Sequence, residues 1–314
     1  MKILVISGFL GAGKTTFIQE LIRKTGEKFV VLENEYGQTD VDEQILDQDD
    51  NTNIWGLSEG CVCCTKSSDL TNSVITIENV LSPEYLIVEP SGVGRLSNVI
   101  RNLKKLEYER ITLLKPITII DAERFAYDFH RFADVYQDQI CSAGTILISK
   151  PDHPEPERIE AVAKAIRELN PEAELLSGHY TKQGTEWFRG LLRQSWSGDV
   201  VSIESDSDIG LETFTVDDCE MSSPVELLAV LDNAIRGRYG EIVRAKGILP
   251  AGKEWVRFDI AGERVCITGF TDEDAQYEMP SGKKAESVWI GRGLDRFALM
   301  EKMNAEPVSL MYNP

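Results

Sequence analysis

The sequence predicts an α/β fold, a mostly parallel sheet with helices on both faces, followed by a smaller α+β domain. Short, near-continuous apolar runs recur at Ile3–Ile6, Phe29–Leu32, Tyr85–Val88, Ile117–Ile120 and Thr145–Ile148. Runs of this kind suit strands buried on both faces. Helical apolar spacing lies between several of them, over Asp69–Leu81 and through Ile159, Val162, Ala163, Ile166 and Leu169. That alternation is the pattern of a parallel sheet with crossover helices. From about residue 195 to 210 the chain turns to Ser, Asp and Gly with little periodicity, which reads as a linker. A length of 314 residues suits two domains, here 1–195 and 211–314 with 196–210 between them.

The first strand, Ile3–Ile6, has the length and branching of a buried one, and Phe17, Leu21 and Ile22 begin the apolar face of a helix. Between them stands Gly8-Phe-Leu-Gly-Ala-Gly-Lys-Thr-Thr16. It fits the phosphate-binding loop, in which glycines let backbone N–H groups curl around phosphates, a lysine reaches the outer phosphates and a hydroxyl holds Mg2+. Gly11, Ala12, Gly13, Lys14, Thr15 and Thr16 are the expected nucleotide-binding residues, with Lys14 also catalytic and Thr15 a Mg2+ ligand. The N-terminus of the next helix adds partial positive charge.

In an open α/β sheet, ligands sit at the carboxyl ends of the strands. The residues there are Glu33-Asn34, Glu89-Pro90-Ser91-Gly92, Asp121 and Ser149-Lys150-Pro151-Asp152. A nucleotide site needs a second carboxylate near Mg2+ and control of the attacking water. Glu89 stands where that carboxylate belongs, although the same residue also suits a plain turn cap. Gly92 offers its backbone N–H to a terminal phosphate, a contact that lets Val93–Ser97 move on hydrolysis. In Ser149-Lys150-Pro151-Asp152 the lysine stem can cover a purine, and the aspartate can accept from guanine's N1–H and amine. Adenine would leave that aspartate unpaired. A helix-entry turn is the alternative for this stretch.

Gly60-Cys61-Val62-Cys63-Cys64-Thr65 places three thiols within four residues, a set that favours a soft transition metal over Mg2+. So short a backbone does not readily close a tetrahedral site alone. Glu33, Glu35 and the histidines are open as further ligands, while vicinal-thiol redox chemistry and simple burial are rival readings. His130, His153 and His179 follow no metal spacing, and Cys141, Cys219 and Cys266 read as small core residues.

The second domain reads as a strand (Glu212–Val216), a helix (Pro224–Arg236), strands over Glu241–Leu249, Trp255–Ile260, Arg264–Thr268 and Val288–Ile290, and a last helix from about Asp295. Ser223-Pro224-Val225-Glu226 has the form of a capping box and Gly237 that of a helix stop. The 52 acidic against 33 basic residues, net charge -19, argue against nucleic acid or an anionic membrane as partner. No apolar run approaches the roughly 20 residues of a membrane span. The chain opens directly into a strand with no signal-peptide pattern, so a cytoplasmic location is expected.

Taken in order, Gly8–Thr16, Glu33-Asn-Glu-Tyr-Gly37, Gly60-Cys-Val-Cys-Cys64, Glu89-Pro-Ser-Gly92 and Ser149-Lys-Pro-Asp152 resemble the CobW-like metal-chaperone GTPases, relatives of the hydrogenase- and urease-maturation GTPases. Asn170-Pro-Glu-Ala173, Arg244-Ala-Lys-Gly247 and Trp289-Ile-Gly-Arg-Gly-Leu-Asp295 resemble later signatures of the family. The resemblance implies a P-loop GTPase domain followed by a CobW C-terminal domain. It further implies slow, metal-stimulated GTP hydrolysis and a transition metal, Zn2+ or Co2+, carried to a client metalloprotein or cofactor-assembly protein. By position, Cys61 and Cys63 are the implied ligands and Cys64 a third or alternate, while Glu33 and Glu35 lie in the segment linking nucleotide to metal. The second domain is left for client recognition or homodimerisation. Ser149 departs from the usual Asn or Thr, and Gln38 from an acidic residue in some members. A small-molecule kinase, a thiol redox sensor and a switch that binds without hydrolysing are the other classes the motifs admit.

Overall fold

The computed structural model describes residues 1–33, 52–56, 67–107, 110–149, 156–198, 210–262, 264–269 and 285–303, with backbone alone at 52–56 and 67–69. The described residues divide into two compact units, one holding residues up to 198 and the other those from 210 on.

The first unit is built on a parallel sheet. Its strands are β1 (Lys2–Gly8), β2 (Phe29–Glu33), β3 (Thr52–Gly56), β4 (Tyr85–Glu89), β5 (Thr112–Leu113), β6 (Ile117–Asp121), β7 (Thr145–Ser149) and β8 (Glu174–Leu176). They run in the order β3-β2-β4-β1-β6-β7-β8, with β5 beside the start of β1. Every strand predicted for this half is present, and β4, β6 and β7 are buried at every residue. The sheet's outer strands, β3 and β8, carry no such apolar run. The helices are α1 (Lys14–Thr25), α2 (Ser67–Leu81), α3 (Leu96–Lys104), α4 (Phe125–Arg131), α5 (Ala133–Cys141), α6 (Pro156–Leu169) and α7 (Thr185–Leu191).

Helix α1 buries Phe17, Ile18, Leu21 and Ile22, the i, i+4 spacing that lays one face on the core. Phe17 meets Tyr180 edge-on at 5.1 Å and Phe188 at 6.0 Å, which fixes the helix, and with it the loop before it, against α7. The helix ends at Gly26, whose positive φ of 66° lets its N–H return to Ile22 O. The segment expected to start the linker still belongs to this unit. Trp196 N–H donates to Leu113 O at 2.8 Å, and a Cβ on Gly144 would meet the Trp196 ring at 2.8 Å.

The second unit is a five-stranded antiparallel sheet of β9 (Glu212–Asp217), β10 (Glu241–Ala251), β11 (Glu254–Ala261), β12 (Arg264–Gly269) and β13 (Glu286–Arg292), in the order β12-β11-β10-β13-β9. Helices α8 (Pro224–Ile235) and α9 (Arg296–Lys302) cover its core of Leu227, Leu231, Phe258, Trp289 and Leu299. The N-cap half of the capping box forms, with Ser223 Oγ accepting from Glu226 N–H at 3.3 Å, but Glu226 Oε2 reaches one residue further back and accepts from Ser222 N–H at 2.8 Å. Of the three cysteines assigned to the core, Cys219 is buried, Cys141 partly buried and Cys266 exposed. On β12, Val265 and Ile267 pack against the core, and the alternation of the strand turns Cys266 between them to the other face. Among the described residues no helix is long and apolar enough to cross a membrane.

Candidate functional site

The sheet order places the predicted loop at the carboxyl edge with a strand end on each side. Strand β1 pairs with β4 through Val5 and Val88, and with β6 through Gly8 and Ile119. The chain leaves β1 at Gly8, where φ is 148° and a Cβ would come 2.5 Å from Ile119 O, so only glycine passes there. A turn closed by Ala12 N–H on Phe9 O at 3.1 Å follows. Gly13 has φ 99° at the N-cap of α1, and its carbonyl accepts the first helical bond from Phe17 N–H at 3.0 Å. Lys14 and Thr15 thus open a helix whose first N–H groups are left for an anion.

Lys14 is 6% exposed, and its Nζ lies 3.7 Å from Glu89 Oε1, on a carboxylate 7% exposed. Glu89 ends β4 and Glu33 ends β2, and the two are register partners on adjacent parallel strands. The loop lysine, the strand-end carboxylate and a second, partly buried carboxylate are therefore gathered at one edge. Asp121 and Ser149 are likewise register partners at the ends of β6 and β7. Asp121 Oδ1 accepts from Glu123 N–H at 2.9 Å, and Ser149 Oγ donates to Ala12 O at 2.6 Å. Ser149 therefore acts on the phosphate loop itself.

Gly92 sits against the loop from the β4 side. A Cβ there would stand 2.7 Å from Leu10 N, closer than real side chains come. The turn that carries it is closed by Gly94 N–H on Ser91 O at 2.7 Å. Leu96 and Ser97, in the segment expected to move, form the first turn of α3 and are buried.

The other flank of the loop is aromatic. Phe9 lies 4.9 Å from Phe132 and 5.0 Å from Tyr136, ring centre to ring centre. Tyr136 donates to Asp128 Oδ2 at 3.3 Å, while Arg124 Nη2 donates to Asp128 Oδ1 at 2.7 Å. Burial pushes the Asp128 carboxyl above its usual value, with the Arg124 guanidinium opposing, and burial holds the Tyr136 hydroxyl well above its own. None of these residues was assigned a role from sequence. Phe9 was the one visible signal, an aromatic side chain inside a loop whose motif leaves that position open.

Of the residues expected from sequence, the structure brings together Gly11, Ala12, Gly13, Lys14, Thr15, Thr16, Glu33, Glu89, Gly92 and Ser149 at the carboxyl edge of the sheet. Glu35, Cys61, Cys63, Cys64, Lys150 and Asp152 lie outside the described residues. Among the described residues no group of three or more His, Cys, Asp and Glu side chains is arranged for a metal.

The family model described as "CobW/HypB/UreG, nucleotide-binding domain" matches residues 2–177, and the model of the cobalamin synthesis protein cobW C-terminal domain matches residues 211–306. Among characterised proteins, zinc chaperone YjiA of Escherichia coli (strain K12) is 30% identical over 160 residues, covering 48% of this chain and 50% of that one. Zinc chaperone YeiR of the same organism is 28% identical over 181 residues, covering 57% and 55%. The chain thus spans about half the length of the curated relatives it matches. The crystal structure of Zn(II)-bound YjiA GTPase from E. coli aligns over 97% of this chain and 98% of that chain, with TM-score 0.46 and 19% identity. The nucleotide-binding model alone covers more than half the chain, and its span contains the loop, both flanking strand ends and the Gly92 turn: the protein belongs to the CobW/HypB/UreG family, with a CobW C-terminal domain behind its nucleotide-binding domain.

Proposed function

We propose that this protein is a GTP-binding and GTP-hydrolysing metallochaperone that takes up a transition metal and passes it to a client metalloprotein or cofactor-assembly protein. The observation that carries the reading is the buried Lys14–Glu89 pair at 3.7 Å, with Glu33 in register beside Glu89. A phosphate chain seated on the loop competes with Glu89 for the Lys14 ammonium. The released carboxylate is then available with the Thr15 hydroxyl, a pair of hard oxygen donors suited to Mg2+. Mg2+ there neutralises charge on the phosphates. Gly92 reads the terminal phosphate, and Ser149, Lys150 and Asp152 read guanine.

The metal is cargo. Cys61 and Cys63 are its ligands in this reading, with Cys64, Glu33 or Glu35 completing the set, and thiolates suit Zn2+ or Co2+. Glu33 ends the strand next to Glu89 and so stands at the nucleotide edge itself. Metal and GTP then shift each other's affinity by the same factor. The second domain serves as the surface for the client or for a second copy of the chain. The relatives named as zinc chaperones support this function, as does the match to both family models.

The test is a competition titration of the purified protein with Zn2+, Co2+, Ni2+ and Fe2+, with and without Mg-GTP, while phosphate release is counted. Tight binding of one metal, changed by GTP and lost in the C61S/C63S variant with GTP binding retained, is the expected result. Equal GTP affinity with and without metal, or unchanged metal affinity in the variant, sinks the reading.

A further inference from the structure

We propose that Gln139 is the positioning residue that sets the Ser91–Gly94 turn for reading a terminal phosphate, with its neighbour Asp138 fixing the far end of the same segment. This inference rests on the GTPase reading above. Gln139 on α5 is fully buried. Its Nε2 donates to two carbonyls of the turn, Gly92 O at 3.1 Å and Gly94 O at 3.0 Å. Two carbonyl acceptors on one side-chain atom require that atom to be the nitrogen, which settles the amide's orientation. The first carbonyl of the four-residue turn, Ser91 O, is held by Gly94 N–H. All peptide bonds described are trans, so each N–H lies opposite the carbonyl of its own peptide unit. Holding Ser91 O and Gly92 O therefore sets the directions of the Gly92 and Val93 N–H groups. Leu10 of the phosphate loop closes the other side of Gly92, and the turn is seated between α5 and that loop.

Asp138 acts three residues beyond the turn. Its Oδ1 accepts from Ser97 N–H at 3.0 Å and its Oδ2 from Ser97 Oγ at 2.5 Å, so it caps the start of α3 from a neighbouring helix. Consecutive residues of α5 thus grip both ends of the segment from Gly92 to Ser97. Helix α5 is itself fixed, by Thr118 Oγ1 donating to Gln139 O at 2.9 Å and by Tyr136 against Phe9 of the loop. One more observation favours a role beyond packing. Gln139 Oε1 is buried with no hydrogen-bond partner among the described residues, a desolvation cost that an apolar side chain filling the same space avoids. The amide is retained where its donor end meets the phosphate-reading turn.

The experiment measures GTPγS and GDP affinity of the full chain by calorimetry, with kcat and KM for GTP, in Gln139→Met and Ser97→Ala. Methionine keeps the volume and removes the donors. The expected Gln139→Met result is a fall of about 10-fold or more in the GTPγS-over-GDP affinity ratio, with GDP affinity held within about twofold. For GTP, kcat/KM falls, with KM raised as triphosphate affinity is lost, while GDP binding is spared because GDP lacks the phosphate that the turn reads. Ser97→Ala keeps the backbone bond and gives the same direction at smaller size. A ratio and kcat/KM unchanged in Gln139→Met overturn the inference, as does equal weakening of GDP and GTPγS, the mark of a merely structural amide. Should Gln139→Met not fold, an unaltered ratio in Ser97→Ala overturns it. If the unsubstituted protein itself binds neither guanine nucleotide, the GTPase reading fails and takes this inference with it.

Discussion

The two units bury charge pairs to different depths. In the first, Lys14 and Glu89 face each other almost sealed from water, and Asp128 is as deeply buried beneath Arg124. In the second, the pairs Arg292–Glu241 and Arg296–Glu212 have each partner at least one-third exposed, and Arg236–Asp232 more than half. Sheet type accounts for the difference. The strands β4, β6 and β7, buried at every position, leave their ends as the places for polar groups, and whatever gathers there is enclosed by loops and helix termini. Strand β11 alternates instead, with Val256, Phe258 and Ile260 inward and Trp255, Arg257 and Asp259 on the other face, so its charges spread along the strand. A charge pair at the end of a parallel strand is thus a built feature, with a desolvation cost that a surface pair does not carry.

That contrast is broken or sharpened most directly by removing one member of each kind of pair. Lys14→Ala takes the ammonium away from the buried Glu89 carboxylate and is expected to cost about 3–5 kcal/mol of stability, besides abolishing nucleotide binding. Arg236→Ala in the second unit, whose Asp232 partner at 2.7 Å is, like it, more than half exposed, should cost far less. Urea unfolding of both variants checks this, and similar losses in the two would dissolve the distinction.

A smaller effect is expected from Gly92→Ala. The new methyl group enters at 2.7 Å from Leu10 N, where backbone must yield, so the stability loss is about 1–3 kcal/mol. Kinetics should show the larger change, with GTP turnover suppressed while GDP still binds. An alanine variant with unaltered turnover would remove Gly92 from the site.

The smallest expected effect is a dependence on pH. Burial raises the Asp138 carboxyl above its ordinary value, against the bonds from Ser97, so the folded protein holds this proton more tightly than the unfolded chain does. The resulting stability is fully present below about pH 4, the unfolded value, and is lost as pH rises through the raised folded value. Asp138→Asn should flatten that part of the slope in unfolding measured between about pH 4 and 7. A steeper slope in the variant would contradict the assignment.

The sheet was legible because its central strands are written as uninterrupted apolar runs, and the loop because its geometry admits few residues. Gly8 allows no Cβ beside Ile119 O, and Gly13 needs a positive φ. The outer strands were not legible. Glu174–Leu176 carries one charged and two partly exposed residues, since a strand with an open side has less to bury. Cys266 misled for a different reason: on β12 it alternates with Val265 and Ile267, which pack against the core, and so it lies on the opposite face. Gln139 and Asp138 were invisible for another reason. Their partners lie 41 to 47 residues away in the chain, and nothing in their immediate neighbourhood marks a glutamine as a clamp.

By itself the sequence determined the run of strands and helices, the phosphate loop, the acidic and glycine residues at the strand ends and the family they announce. These follow from local rules: burial on both faces selects apolar runs, and backbone that approaches closely or turns left-handed selects glycine. Only the tertiary structure decided that β4 lies directly beside β1, which brings Glu89 to 3.7 Å from Lys14. It likewise decided that α5 grips both ends of the segment after Gly92. Strand order and helix docking depend on which distant surfaces bury one another, and that is a property of the whole packed domain.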